Sequence, residues 1–194
     1  MELVFIRHGK TKGNLKSRYI GITDEGLCKE GIEEINGNLC QGIYPAADII
    51  FTSPMKRCIQ TAEIIYPGKS LNVIYGFREI NFGRFEGKNY FELSGSSEYQ
   101  EWIDSKGTKR FPGGEDRKIF SRRCTNSFNK SLIMCRKLQE KGRLKKDATA
   151  VFIVHGGTIM SVMESVTEGG YFDYQCSNAH GYSLDLDSGC IAGL

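Results

Sequence analysis

The sequence predicts an α/β fold with three layers, in which helices cover both faces of a mostly parallel central sheet. Three observations carry that expectation. Residues 3–6 (Leu-Val-Phe-Ile) and 150–154 (Ala-Val-Phe-Ile-Val) are short, wholly apolar runs, the pattern of strands buried on both faces. Between such runs lie segments whose apolar residues recur at three and four, the helical period. Strand-like and helix-like segments alternate along the chain, as parallel βαβ units require.

Taken in order, residues 3–6 form the first expected strand. Cys28, Ile32, Ile35 and Leu39 then mark one face of a helix. A second strand is expected over 48–51, running into Thr52-Ser53-Pro54. Ser53 is a good N-cap and Pro54 a good first helical residue, and Met55, Ile59, Ala62 and Ile65 continue the helical stripe. Residues 72–75 are a third strand candidate. From about 84 to 117 the rhythm breaks into Gly, Ser, charge and aromatics, read as a small insertion or lid. Phe120, Cys124, Phe128, Leu132, Cys135 and Leu138 stripe a long helix. The strand at 150–154 leads to a last helix bearing Ile159, Met163 and Val166.

At 194 residues, a single domain spanning 1–194 buries enough surface to need no disulfides or structural metal. No apolar run approaches the roughly 18 residues of a membrane span, and Met1-Glu2 leads into no signal-peptide pattern. A net charge of +3 gives no argument for nucleic acid, and no basic patch carries interleaved stacking aromatics. The 7 cysteines, at 28, 40, 58, 124, 135, 176 and 190, show no C-x-x-C spacing. They read as buried small hydrophobes in a reducing cytoplasm.

Three of the expected strands end in residues that carry chemistry. Residues 3–6 run into Arg7-His8-Gly9, residues 150–154 into His155-Gly156-Gly157, and residues 48–51 toward Arg57 in the opening turn of a helix. In open parallel sheets ligands gather beyond the carboxyl ends of the strands. If these strands are neighbours, Arg7, His8, Arg57 and His155 converge. Two guanidiniums facing one cleft suit a phosphate, which accepts their fixed, paired donors, and the Gly156–Gly157 amides add anion affinity. An imidazole beside two arginines stays neutral, and one held by a single nitrogen can attack phosphorus with the other. The second imidazole can hydrogen-bond the transferring group. Glu79, in the turn after 72–75, supplies a carboxyl for the leaving oxygen.

These blocks resemble the histidine phosphatase superfamily, with its phosphoglycerate mutase-like fold. The likeness runs through Leu3-Val4-Phe5-Ile6-Arg7-His8-Gly9-Lys10-Thr11, Asn14, Tyr19-Ile20-Gly21-Ile22-Thr23-Asp24 and Thr52-Ser53-Pro54-Met55-Lys56-Arg57. It continues in family order through Glu79-Ile80-Asn81-Phe82-Gly83-Arg84-Phe85-Glu86-Gly87, Phe111-Pro112-Gly113-Gly114-Glu115 and Val154-His155-Gly156-Gly157. The resemblance implies that His8 accepts the phosphoryl group and Glu79 is the proton donor. It further implies that Arg7, Arg57 and His155 bind the phosphoryl group, with Asn14, Gly21, Thr23 and Gly156 as secondary contacts. No metal or cofactor is implied. The Phe82–Gly87 and Phe111–Glu115 blocks look more like phosphatases, alpha-ribazole phosphatases and broad-specificity enzymes among them, than like mutases, beside which the chain is short. Lys10 where Glu is frequent, Glu25-Gly26 and Cys58 depart from the family pattern without removing a catalytic group.

The expected activity is thus hydrolysis of a small phosphorylated metabolite through phosphohistidine, alpha-ribazole 5′-phosphate being one candidate. Phosphoglycerate mutase or bisphosphoglycerate phosphatase chemistry at the same site is the alternative, and a catalytically silent phospho-ligand binding module is a third. A metal triad of the two histidines with Glu79 is disfavoured by the adjacent arginines. His180 reads as structural or surface, Glu86 as an orienting carboxylate, and Glu115 as a residue favouring a helix start. Lys106, Lys109, Arg110, Arg117, Lys118, Arg122 and Arg123 read as a solvated face, or else as a reader of an acidic substrate tail. Oligomeric state is left open, a homodimer among the options.

Overall fold

The computed structural model describes residues 1–194. The chain runs β1 (Glu2–Arg7), α1 (Lys12–Leu15), α2 (Lys29–Cys40), β2 (Ile49–Thr52), α3 (Lys56–Ile65), β3 (Leu71–Val73), α4 (Tyr90–Leu93) and α5 (Ser97–Asp104). It continues through α6 (Arg117–Glu140), β4 (Thr149–Val154), α7 (Gly156–Val166), β5 (Gly181–Asp185) and β6 (Ile191–Gly193). The strands form one sheet in the order β3-β2-β4-β1-β5-β6. β3, β2, β4 and β1 are mutually parallel, and β5 and β6 add an antiparallel edge.

Side-chain alternation along the strands builds the three layers. On β1, Leu3 and Phe5 join one core with Phe120, Cys124 and Phe128 of α6 and Ile159, Val162 and Met163 of α7. Val4 and Ile6 point the other way, into a second core with Ile35 of α2 and Cys58, Ala62 and Ile65 of α3. β4 divides in the same manner: Phe152 and Val154 join the first core, Val151 and Ile153 the second. Phe152 sits between Phe5 and Phe51, with ring centroids 5.1 and 5.0 Å away. The 84–117 segment holds no strand. Its Phe85, Leu93, Tyr99 and Phe111 are buried in the first core, so it belongs to the main packing.

The expected elements are displaced or extended at several points. Residues 72–75 do not form a strand throughout, because the chain turns into a 3-10 helix at Tyr75–Phe77. Ser53 is not the N-cap of α3: the helix starts at Lys56 with Met55 as N-cap. The Ser53 hydroxyl faces His155 instead. Cys40 and Cys190 are exposed and Cys176 is half-buried, so only Cys28, Cys58, Cys124 and Cys135 are the buried hydrophobes expected. β5 and β6 were not predicted. No helix is long and apolar enough to cross a membrane.

Candidate active site

Register places the site. Arg7 at the end of β1 pairs with Val154 at the end of β4, and Thr52 at the end of β2 pairs with Ile153. The next residues on these three neighbouring strands are His8, His155 and Ser53, so the three chain segments leave the sheet side by side. The rings of His8 and His155 meet edge-on, with centroids 5.1 Å apart. Both are buried.

Hydrogen bonds fix the two tautomers. His8 Nδ1 lies 2.7 Å from the Gly9 carbonyl oxygen. That oxygen can only accept, so Nδ1 carries the proton and Nε2 keeps its lone pair. Arg57 Nε donates to His155 Nδ1 at 3.3 Å, so Nδ1 is the acceptor there and Nε2 donates to Ser53 Oγ at 2.8 Å. Burial in the first place, then the charges of Arg57 and Arg7, hold His8 well below the usual histidine range. Burial and Arg57 do the same to His155. Both rings are therefore neutral near pH 7, leaving a nucleophilic nitrogen on His8.

Arg57 is fully buried in the opening turn of α3. Its Nη1 donates to the Thr23 carbonyl at 2.8 Å and its Nη2 to the Gly21 carbonyl at 2.9 Å. Arg7 donates from Nη1 to the Cys176 carbonyl at 2.7 Å, and its Nε is buried without a partner. Neither arginine forms an ion pair. Their full charge thus remains to be balanced, the condition under which an oxyanion binds. No group of three or more His, Cys, Asp or Glu is arranged to hold a metal ion.

Glu79 closes the site from the turn after β3. Its carboxylate accepts from the Ile80 amide at 2.9 Å and from the Gly157 amide, at the start of α7, at 3.4 Å. Burial raises its pKa above the ordinary glutamate value, against the lowering effects of these amides and the two arginines. A Cβ at Gly157 would lie 2.6 Å from Glu79 Oε1, so the carboxyl approaches α7 only because that position is glycine. A cavity of about 310 Å³ opens above Glu79, Arg7, Gly156 and Gly157.

Residues 3–192 match the family model of the histidine phosphatase superfamily (branch 1). The chain belongs to that superfamily. A stretch of 119 residues is 29% identical to phosphoserine phosphatase 1 of Hydrogenobacter thermophilus, covering 59% of this chain and 56% of that one. Another of 124 residues is 32% identical to the 2,3-bisphosphoglycerate-dependent phosphoglycerate mutase of Haemophilus ducreyi, covering 63% and 50%. The chain therefore spans about half the length of these curated relatives. An Escherichia coli protein provisionally named an alpha-ribazole-5′-P phosphatase shares the fold, with a TM-score of 0.78 at 19% identity over 100% of this chain and 94% of its own.

The secondary positions implied by the superfamily resemblance are distributed around this core. The amides of Gly21 and Thr23 donate to Glu86 Oε1 at 2.8 and 2.9 Å, while their carbonyls hold Arg57. The pair thus stands behind the arginine. Asn14 Oδ1 accepts from the Thr11 amide at 3.0 Å and lies 3.4 Å from Asn178 Nδ2. Gly156 faces Arg7, whose Cζ would be 3.5 Å from a Cβ there. His180 stays outside the cluster, its Nδ1 lying 3.0 Å from the Leu194 carbonyl.

Several supporting residues were not singled out from the sequence for these roles. Asn178 Nδ2 donates to the His8 carbonyl at 2.9 Å, and the Ala179 amide donates to the Arg7 carbonyl at 2.9 Å. Ala179 adopts a left-handed φ of 59° in making that turn. Asp116, not Glu115, caps α6, its carboxylate accepting from the Lys118 and Ile119 amides. Glu115 instead pairs with Arg123 through two bonds of 2.9 and 2.8 Å. The same guanidinium donates to the carbonyls of Gly76, Arg78 and Glu79. Arg123 is thus no member of a solvated face. It clamps the turn that carries Glu79, and only its place one helical turn beyond Phe120 hinted that it could reach inward.

Proposed function

We propose that the protein is a metal-independent phosphomonoester hydrolase that works through a phosphohistidine. The observation that carries the reading is the free Nε2 lone pair of His8, set among Arg7, Arg57 and His155. In the first step, His8 Nε2 attacks phosphorus and the bond from phosphorus to the ester oxygen breaks. Glu79 gives its proton to that oxygen, and the alcohol leaves. In the second, ionised Glu79 takes a proton from water, the water oxygen attacks phosphorus, and the N–P pair returns to Nε2. Arg7 and Arg57 bind the charge that develops on the transferring oxygens, and His155 joins them once its Nε2–H turns from Ser53 Oγ to a phosphoryl oxygen; donors so placed typically contribute about 2.7–4 kcal/mol each. Asn14 and Gly156 are secondary contacts in this scheme, and Gly21 and Thr23 serve by holding Arg57.

The substrate is a small phosphorylated metabolite, with alpha-ribazole 5′-phosphate a candidate on the name given to the Escherichia coli neighbour. The cytoplasm, where the thiols stay reduced, is the proposed location. The mutase relative favours a second reading, phosphoryl transfer within phosphoglycerate at the same site. Released phosphate, scored with and without a bisphosphoglycerate primer, separates the two. His8→Ala is expected to abolish turnover and acid-labile phosphoenzyme labelling together; full activity in that variant would sink the mechanism.

A further inference from the structure

The cavity above Glu79 differs in character from the phosphate end of the site. Phe82, Trp102 and Phe111 line one side of it, and Met160, Tyr171 and Phe172 contribute further apolar surface. Phe111 packs against Phe82 and Trp102 with ring centroids 5.0 and 4.9 Å apart, so these three rings hold one another in place. Tyr171 and Phe172 are tethered by Arg117, whose guanidinium carbon lies 4.8 Å and 5.9 Å from the two ring centroids. Arg117 forms no ion pair. The charged residues lining the cavity are therefore Arg7, Glu79 and Arg117, and the single carboxylate among them is the proposed proton donor.

From this lining we infer that the leaving group is an uncharged, ring-bearing alcohol, and that the aromatic cavity selects it over small zwitterionic or hydroxy-acid alcohols. The inference rests on the phosphatase reading, since it concerns the other half of the same ester. An apolar ring displaces water from aromatic walls at a favourable free energy. The ammonium of a phosphoserine-like substrate would find no carboxylate of its own there and would face Arg7 and Arg117. A glycerate carboxylate could pair with an arginine of the lining but would leave the aromatic walls unfilled. The names of the curated relatives thus do not carry over to the substrate of this chain.

Phosphonates test the cavity without turnover. Calorimetric titration with 2-phenylethylphosphonate, ethylphosphonate and 2-amino-4-phosphonobutyrate should rank the phenyl compound about tenfold or more tighter than the other two. Phe172→Ala, at a residue 53% exposed, and Met160→Ala leave the catalytic groups in place. Each should weaken the phenyl compound several-fold and leave ethylphosphonate within about twofold. Equal affinities in the wild type, tighter binding of the amino acid phosphonate, or no effect of either variant would overturn the inference. Hydrolysis is scored separately: 2-phenylethyl phosphate that binds tightly yet releases no phosphate would refute the phosphatase reading and leave the cavity inference standing.

Discussion

Glu79 and Gly157 show how much one missing side chain can decide. In the proposed reaction the carboxyl must be protonated to release an alcohol, and an ordinary glutamate near neutral pH is not. Burial raises its pKa, while the Ile80 and Gly157 amides keep the ionised form accessible for the second step. The alkaline limb of kcat should therefore report loss of the Glu79 proton, above the ordinary glutamate value of 4.5. Glu79→Gln should remove that limb and lower kcat about 10²–10⁴-fold with substrates of poor leaving ability, read from rate profiles of the two proteins. Gly157→Ala tests placement without removing a proton donor. Its Cβ would press on Glu79 Oε1 at 2.6 Å and on the Phe120 ring at 3.1 Å. The end of the glutamate side chain is the softer neighbour, so the fold should survive while kcat falls by up to about 10²-fold. An unaltered kcat would show that the carboxyl's present position is immaterial.

At the level of elements, α6 does two jobs with one helix. Its apolar stripe packs the first core, and Arg123, one turn past Phe120, reaches across to three carbonyls of the Gly76–Glu79 turn. Glu115 fixes that guanidinium through two bonds, with both side chains at least three-quarters shielded from solvent. Glu115→Ala removes the acceptor pair and is expected to cost about 1.5–3 kcal/mol of stability. Because the clamp holds the turn and touches no phosphate group, kcat should drop while phosphate or vanadate inhibition stays near the wild-type value. Arg123→Lys should not restore kcat, since a lysine supplies charge but not the fork. Equal losses in kcat and in anion binding would reduce the clamp to a general structural support. The stripe of α6 was legible in the sequence because its period is carried by Phe120, Cys124, Phe128 and Cys135, all buried. Arg123 was not, because a basic residue among Arg122 and its neighbours carries no sign of which way it points. β6 was illegible for a related reason: all three of its residues are exposed, so no alternation marks it. β5 offered only the buried Leu184 and Gly181, too weak a pattern to stand out.

Across the whole molecule, the decisive fact is that β2, β4 and β1 are neighbours in register, which brings residues 8, 57 and 155 together from distant parts of the chain. Buried parallel strands announce themselves as continuous apolar runs, and ligand sites follow their carboxyl ends. That makes the convergence readable in the sequence, whereas the aromatic cavity, built from rings scattered between residues 82 and 172, is not. The convergence also has a consequence for stability. Unfolded, His8 and His155 titrate near 6.5; folded, both lie well lower. Between those values the unfolded chain holds protons that the folded chain excludes, so the contribution of the two imidazoles is complete above about pH 6.5 and declines as the pH falls. Two groups give a slope of at most about 2.7 kcal/mol per pH unit. Glu79 is displaced in the opposite direction: its contribution is present below 4.5 and is lost as pH rises through its folded value, so on acidification it offsets up to about 1.4 kcal/mol per unit. Thermal melts between pH 7.5 and 5.5 should show Tm falling in the wild type and falling less in the double variant His8→Asn, His155→Asn. Glu79→Gln, which cannot take up that proton, should steepen the decline when the melts are carried on down to pH 4.5. Melting curves with one common slope for all three proteins would mean that the buried imidazoles titrate as they do in water, and the neutral nucleophile on which the proposed phosphohistidine depends would lose its physical basis.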